Sequence, residues 1–320
     1  AVLRRAAMSP PGLARIAGAL ARDGVVLARL ARRRAVALVH TNTSVTLGGA
    51  AAARIARVPH VWHVREIYAG FERWWPGYRR VLLSADALPC VSQATRAQLG
   101  ATPKAHVLHD GLALAPSRAP RAQARAALGL APAAFVVAIL GRISSWKGQD
   151  VLIRALAELP GEPPAIALVA GDPWQGDERR LQELHELAAS LGVRGRVRFA
   201  GFRPDVENVL GAADVVAVPS TQPDPLPNAA LEAAAAGCCV VAADHGGLPE
   251  IIADGATGRL VAPGDPAALA AVLVELRAHP EARERLAAAA ARDVRERFSA
   301  TRLLDRTQVL YDELLERRAA

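Results

Sequence analysis

Lysine is nearly missing from this 320-residue sequence: of 39 basic residues, two are lysine, Lys104 and Lys147, and the rest are arginine. Cysteine is scarce as well. Cys90, Cys238 and Cys239 make no C-x-x-C pair, and no Cys/His cluster has zinc spacing. That pattern excludes a disulfide framework or a structural zinc site, and the thiols are expected reduced and buried in a cytosolic protein. Aromatics amount to 4 % and do not interleave with the basic residues, so a nucleic-acid surface is not expected. No run of about 18 apolar residues is free of charge, which excludes a spanning helix. No compact apolar run with a cleavage site follows the N-terminal arginines, so no secretory signal is expected. No G-x-G-x-x-G follows a strand with an acid about 20 residues on, which argues against a nicotinamide-dependent oxidoreductase.

What is present is a chain that is 52 % hydrophobic, long enough for two domains and rich in Ala, Val and Leu. The net charge of +8 is unevenly placed: residues 1–34 hold eight arginines against one aspartate, leaving the remainder almost neutral. Within that segment Arg15, Arg22, Arg29 and Arg33 share one helical face, and Leu13, Ile16, Leu20, Leu27 and Leu30 share another. The expectation is an arginine row in solvent on a helix whose leucines pack inward. A peripheral contact of this basic helix, residues 11–34, with anionic lipid at the inner face of a membrane is the competing reading.

Short β-branched runs alternate with longer Ala/Leu/Arg stretches. Strands are predicted at 36–40, 60–64, 87–92, 106–109, 135–140, 165–171, 196–201, 215–220, 238–243 and 258–263. The intervening segments carry apolar residues at helical spacing, as at Val151, Leu152, Ala155, Leu156 and Leu159. This alternation predicts an α/β fold with parallel sheets wrapped by helices. The proline-bearing segment 114–132 interrupts it, so a first domain is expected over 1–115 and a second over 116–300. Residues 281–297 read as an amphipathic helix, and a last helix over 301–320 is expected to pack back on the first domain. The first domain opens with a helix and lacks the early strand and glycine-rich turn with which doubly wound sheets begin. It is therefore expected to be missing an N-terminal βαβ portion.

One of the two lysines stands in "GRISSWKG", residues 141–148, directly after the apolar strand 135–140. Arg142, Ser144, Ser145 and Lys147 thus sit at a strand's carboxyl end, where open α/β sheets bind ligands. A helix is expected to begin at Gln149 or Asp150. A helix N-terminus with two nearby cations suits a diphosphate, the lysine as a compact charge and the arginine as a planar fork.

A second stretch, "PSTQPDPLPNAALEAAAAGCCVVA", follows the strand at 215–218. Pro223, Pro225 and Pro227 stiffen an extended loop. Asn228 is expected to cap a helix that carries Glu232 and ends at Gly237. Asp224 and Glu232 are expected near that helix's N-terminus, as acceptors for sugar and ribose hydroxyls. His63 ends a first-domain strand, as do Asn42, Thr43 and Ser44. Arg65 and Glu66 are expected to pair with each other. His109-Asp110-Gly111 reads as a hinge turn, because Asp-Gly favours positive φ.

These stretches, with "GFRPDVENVLGAADVVAVPS" and "GGLPEIIADGATGRLVAPGD", resemble the family 4 glycosyltransferases of the GT-B fold. "LVHTNTS" and "PHVWHVREI" extend the likeness more loosely into the first domain. The resemblance implies two Rossmann-like domains facing a cleft and transfer of a sugar from a nucleotide-diphosphate sugar to a hydroxyl acceptor. It implies that Gly141, Arg142 and Lys147 meet the diphosphate and that Glu232 holds the ribose hydroxyls. Asp224 would touch the sugar ring at a position where the family usually has a glutamate. Backbone groups of Pro227, Asn228 and Ala229 would meet sugar and phosphate oxygens, and Phe202 and Arg203 would lie beside the base. His63 resembles the family's cleft histidine, with Asn42, Thr43, Ser44 and Arg65 on the acceptor side. Arg142, Lys147, Asp224, Glu232 and His63 are the expected catalytic set.

Members of this family retain anomeric configuration. No carboxylate pair here suits a hydrolase double displacement. No D-x-D lies beside a strand end, so metal-independent transfer is expected, with two cations in the role of a metal, no metal ligand and no cofactor beyond the donor. The acceptor could be lipid-linked. The alternative is a non-catalytic nucleotide-sugar-binding module or partner subunit. A sugar-nucleotide epimerase of similar fold would not account for "DPLPNAALE".

Overall fold

A computed structural model describes residues 1–3, 9–114, 116–160 and 164–319. The chain divides into two compact units, residues 1–111 with 300–320, and residues 112–299. The division thus falls between Gly111 and Leu112; residue 115, where the prolines suggested it, lies outside the described residues.

The first unit runs α1 Pro10–Arg33, β1 Val39–Thr41, α2 Gly48–Ala56, β2 His60–Trp62, α3 Trp75–Leu82, β3 Leu88–Cys90, α4 Gln93–Ala97 and β4 Ala105–Val107. β1 pairs with β2 and β3 with β4, all parallel. Parallel bridges Val61–Ala87 and Val64–Cys90 join the two pairs. One core gathers Trp62, Val64, Leu82, Leu88, Cys90 and Leu99. A smaller one sets Val61 and Ala87 against Leu310 and Leu314 of the chain's last helix. Adjacent strand residues face opposite sides, so β2 feeds both cores from Val61 and Trp62.

α1 does not bury its leucines. Its buried residues are Gly12, Gly24, Ala28 and Ala31, while Leu27 and Leu30 are 40 % and 52 % exposed. The reason is a close helix–helix approach: a Cβ on Gly24 would lie 2.7 Å from the Cβ of Ala51 on α2. Small residues occupy that interface, and Leu13, Ile16 and Leu20 are only half-buried.

The second unit runs α5 Arg121–Ala127, β5 Phe135–Leu140, α6 Gln149–Glu158, β6 Ala165–Ala170, α7 Arg179–Ser190, β7 Val197–Gly201, α8 Val206–Ala212 and β8 Val215–Val218. It continues with α9 Asn228–Ala235, β9 Cys239–Ala243, α10 Leu248–Ile251, β10 Arg259–Val261, α11 Pro266–Ala278 and α12 Pro280–Arg297. The final helix, α13, spans Ala300–Ala319 and belongs to the first unit. The six strands form one parallel sheet in the order β10-β9-β8-β5-β6-β7. Val136, Val137 and Ala138 of β5 and Val215, Val216 and Ala217 of β8 are fully buried, as strands covered by helices on both faces require. Strand order reverses between β5 and β8, and the crevice outside the carboxyl ends at such a reversal is where α/β sheets bind ligands.

Beneath this sheet, Arg125 and Asp214 form a buried pair, Nη2 to Oδ2 at 2.8 Å, with Arg121 on the other carboxylate oxygen at 2.6 Å. The three cysteines are free and buried. Burial pushes Cys90 and Cys239 up to about 12 and Cys238 to about 11, which makes them unreactive. Among the described residues no helix is long and apolar enough to cross a membrane.

Candidate functional site

Three loops meet at the carboxyl ends of β5, β8 and β9, and their backbones are locked together. Gly148, with φ 81°, lies so near the loop after β8 that a Cβ would stand 2.0 Å from the Pro219 carbonyl oxygen. Thr221 N–H donates to the Trp146 carbonyl at 2.8 Å. Gly247 N–H donates to the Asp224 carbonyl at 2.8 Å, and His245 Nε2 bonds the Ser220 carbonyl at 2.7 Å. Gly148→Ala is therefore expected to cost more than the ~1–2 kcal/mol of a left-handed alanine, because a backbone oxygen must also move. Gly192→Ala is the control, since Gly192 has φ 69° and open space around it. Denaturant midpoints of the two variants check this: equal shifts would contradict the packing.

The frame fixes Lys147. Its ammonium lies 2.6 Å from Asp224 Oδ2 and 4.2 Å from the Trp146 ring centroid. The Asp224 side chain is 8 % exposed and that of Lys147 25 %, so the pair is desolvated mainly on the carboxylate side. Arg142 is exposed, and its guanidinium sits 4.2 Å from the ring centroid of Trp174. Among the described residues no carboxylate is within ion-pair distance of Arg142. Gly141 precedes it with φ 130°. α6 begins at Gln149, and the Gln149 amide, fully buried, donates to the Arg142 carbonyl at 3.0 Å.

α9 starts one residue earlier than expected. Pro227 occupies the cap position with φ −70° and ψ 117°, Asn228 is the first helical residue, and no side chain caps the helix. Proline's fixed φ suits the extended cap residue, so the cap goes to Pro227 and the first backbone N–H groups stay open to a ligand. Glu232 is in the second turn, half-buried, and burial raises its carboxyl above the ordinary value. Gly237, with φ 76°, ends the helix. Beyond β7, Phe202 is 73 % exposed, and Arg203 pairs with Asp205 at 2.5 Å, which also accepts from Asn208 at 2.8 Å.

In the first unit His63 follows β2 and is 3 % exposed. Its ring stacks on His40 at 5.5 Å, and His40 Nδ1 bonds the Tyr311 hydroxyl at 2.6 Å. Nε2 of His63 has no partner among the described residues. Burial is the main cause that lowers His63 to about 3 and His60 to about 4. Both rings are neutral in the folded protein and titrate near 6.5 when unfolded. Their contribution to stability is complete above pH 6.5 and is lost as pH falls towards 4, because only the unfolded chain takes up those protons. The thermal midpoint is expected to be flat above pH 7 and to fall below 6.5, less steeply in His63→Gln; a flat profile down to pH 4.5 would contradict this.

The acceptor-side residues are arranged differently from expectation. The Arg65 guanidinium pairs bidentately with Asp110, at 2.6 and 2.5 Å, and not with Glu66. The Glu66 carboxylate turns back to the hydroxyls of Thr43 and Ser44 and to the backbone N–H groups of Ser44 and Arg65. A carboxylate accepting four local donors is better satisfied there than by a neighbouring guanidinium that can reach Asp110. Thr43 and Ser44 are thus occupied internally, and Asn42 is exposed. Gly111 does not adopt the positive φ expected of the Asp-Gly turn. The sequence reading passed over Glu66 as a loop anchor, Trp174, and the aromatic group Tyr68, Phe71, Trp75 and Tyr78 behind the Ser44 loop. The signal for that group was its concentration within residues 68–78 of an aromatic-poor chain. Among the described residues no three His, Cys, Asp or Glu side chains converge as a metal site.

Residues 120–293 match the family described as Glycosyl transferases group 1, and residues 2–135 match Glycosyltransferase Family 4. The D-inositol 3-phosphate glycosyltransferase of Nocardia farcinica is 47 % identical over 146 residues, 44 % of this chain and 32 % of that protein. The enzyme of the same description from Saccharomonospora viridis is 40 % identical over 202 residues, 61 % of this chain and 46 % of that protein. The matched stretch thus spans less than half the length of these curated relatives. The crystal structure of Anabaena Alr3699/HepE in complex with UDP aligns with a TM-score of 0.83 at 30 % identity, covering 90 % of this chain and 82 % of that one. The group 1 match alone covers more than half of the chain, and the likeness to HepE extends over both units: the chain belongs to the group 1, family 4 glycosyltransferases of the GT-B fold.

Proposed function

We propose that the chain is a retaining glycosyltransferase that uses a nucleoside diphosphate sugar and needs no metal ion. The observation that carries this reading is the grouping of Arg142, the Lys147–Asp224 pair and the uncapped start of α9 at the strand reversal of the second unit. Two cations and open N–H groups match a diphosphate. A buried carboxylate already paired with one of those cations can accept from a sugar hydroxyl while its charge stays compensated. Glu232 takes the ribose hydroxyls. Phe202 and Arg203 flank the base.

In transfer, the bond from the anomeric carbon to the diphosphate oxygen breaks as the acceptor oxygen bonds to the same face. The acceptor proton passes to the departing diphosphate. Negative charge grows on the leaving group, and Arg142, Lys147 and the α9 terminus stabilise it electrostatically, in the place a metal would take. In the first unit, His63 Nε2, which has no partner among the described residues, and the exposed Asn42 are assigned to hydroxyls of the acceptor.

The related HepE structures hold UDP and UDP-glucose, and the curated relatives are named for D-inositol 3-phosphate. UDP-glucose with that phosphate is therefore the first pair to test, by NMR of the product's anomeric centre with EDTA present. The expected result is an α-linked product, as in the donor, at a rate indifferent to EDTA. A β-linked product would refute retention. Loss of activity in EDTA, restored by a divalent cation, would refute metal independence.

A further inference from the structure

The loops that follow β5 and β6 continue as a paired ribbon beyond the strands. Gly141 N–H donates to the Ala170 carbonyl at 3.0 Å, Ile143 N–H to the Asp172 carbonyl at 3.0 Å, and Ile143 bridges Pro173 in parallel. Gly171, with φ 142°, makes the approach possible: a Cβ there would lie 2.1 Å from the Gly141 carbonyl oxygen. The ribbon delivers Trp174 to Arg142. The indole is 62 % exposed, in a chain with few aromatics, and the guanidinium sits 4.2 Å from its centroid.

We infer that Trp174 is a positioning residue that holds the Arg142 guanidinium ready for the donor diphosphate. The inference rests on the functional reading above. The contrast with the other arginines supplies the argument. Arg65, Arg203 and Arg259 are held by carboxylates, which take up their N–H donors. Arg142 is held by a ring. Attraction to a π face uses the cation's charge and leaves its N–H donors free. A carboxylate partner would have to be displaced by the incoming phosphate, at a cost in affinity, whereas the indole remains in place when the phosphate arrives. The ring also restricts a long side chain before binding, which lowers the ordering cost.

The test is a double-mutant cycle read by calorimetric titration with UDP, GDP and ADP, using the tightest binder. Trp174→Ala is expected to weaken binding about 3- to 30-fold, the range of a cation–π contact, and Trp174→Phe to recover most of it. In an Arg142→Ala background, Trp174→Ala is expected to add nothing, because there is no guanidinium left to hold. An equal loss in both backgrounds would overturn the inference and mark Trp174 as a direct ligand contact or a structural residue. No loss in the wild-type background would overturn it too. Failure of the wild-type chain to bind any of the three nucleotides would overturn the functional reading itself and this role with it. Thermal midpoints of the variants, expected unchanged for so exposed a ring, accompany the cycle.

Discussion

Lys147→Ala is expected to lower the rate of sugar transfer by about 10²–10³, the loss found when one preorganised donor to a developing negative charge is removed. Two effects act together. The departing diphosphate loses a cation that the 141–148 loop delivers, and Asp224, 8 % exposed, loses its partner at 2.6 Å. A buried carboxylate left without its counter-charge is destabilised where it stands, so the sugar-side contact is disturbed along with the diphosphate contact. Lys147→Arg is expected to recover little. Gly148 packs against the Pro219 carbonyl directly behind the lysine, and a planar fork does not replace a compact ammonium held between Asp224 and Trp146. UDP release from UDP-glucose, with denaturant midpoints beside it, measures the effect. A change of less than about tenfold, in a variant with wild-type stability, would remove Lys147 from the machinery.

Asp214→Ala is expected to cost about 3–5 kcal/mol of stability in the second unit. Asp214 accepts from Arg121 at 2.6 Å, from Arg125 at 2.8 Å and from the Val136 N–H of β5 at 2.8 Å. Arg125 is fully buried, and its remaining partners are neutral carbonyls of Ala212 and Pro132. Truncation therefore leaves a buried cation without its anion and frees a strand N–H at the centre of the sheet. The paired replacement Arg125→Met with Asp214→Leu is expected to cost less than Asp214→Ala alone, because no uncompensated charge remains. Urea unfolding followed by far-UV circular dichroism distinguishes the cases, and a cost for Asp214→Ala below about 1 kcal/mol would contradict this role.

Much of this was readable in the residues. Strands form where β-branched runs lie between turn signals, and β5 occupies the expected 135–140. The loops bearing Arg142, Lys147 and Asp224 lie at strand ends because a parallel sheet leaves its connections there. What was not readable depended on distance in three dimensions. The leucine face of α1 has the stronger hydrophobic signal, but Gly24, Ala28 and Ala31 allow the closer approach, and close packing prevailed. Asn228 has the better capping side chain, but Pro227 has the backbone that the cap position needs. Glu66 finds Ser44 across 22 positions, and no spacing rule connects them. Trp174 is one residue in an unremarkable loop until the ribbon beyond β5 and β6 brings it to Arg142.

On the proposed reading, the second unit takes a nucleoside diphosphate through Arg142 and Lys147. The most direct test is calorimetric titration of the chain with UDP, GDP, ADP and dTDP in EDTA, repeated on Lys147→Ala and on His63→Ala. One site per chain with a preference for UDP is expected, with binding abolished or greatly weakened by Lys147→Ala and retained in His63→Ala. Binding that survives Lys147→Ala unchanged, or no binding of any of the four, would contradict that reading.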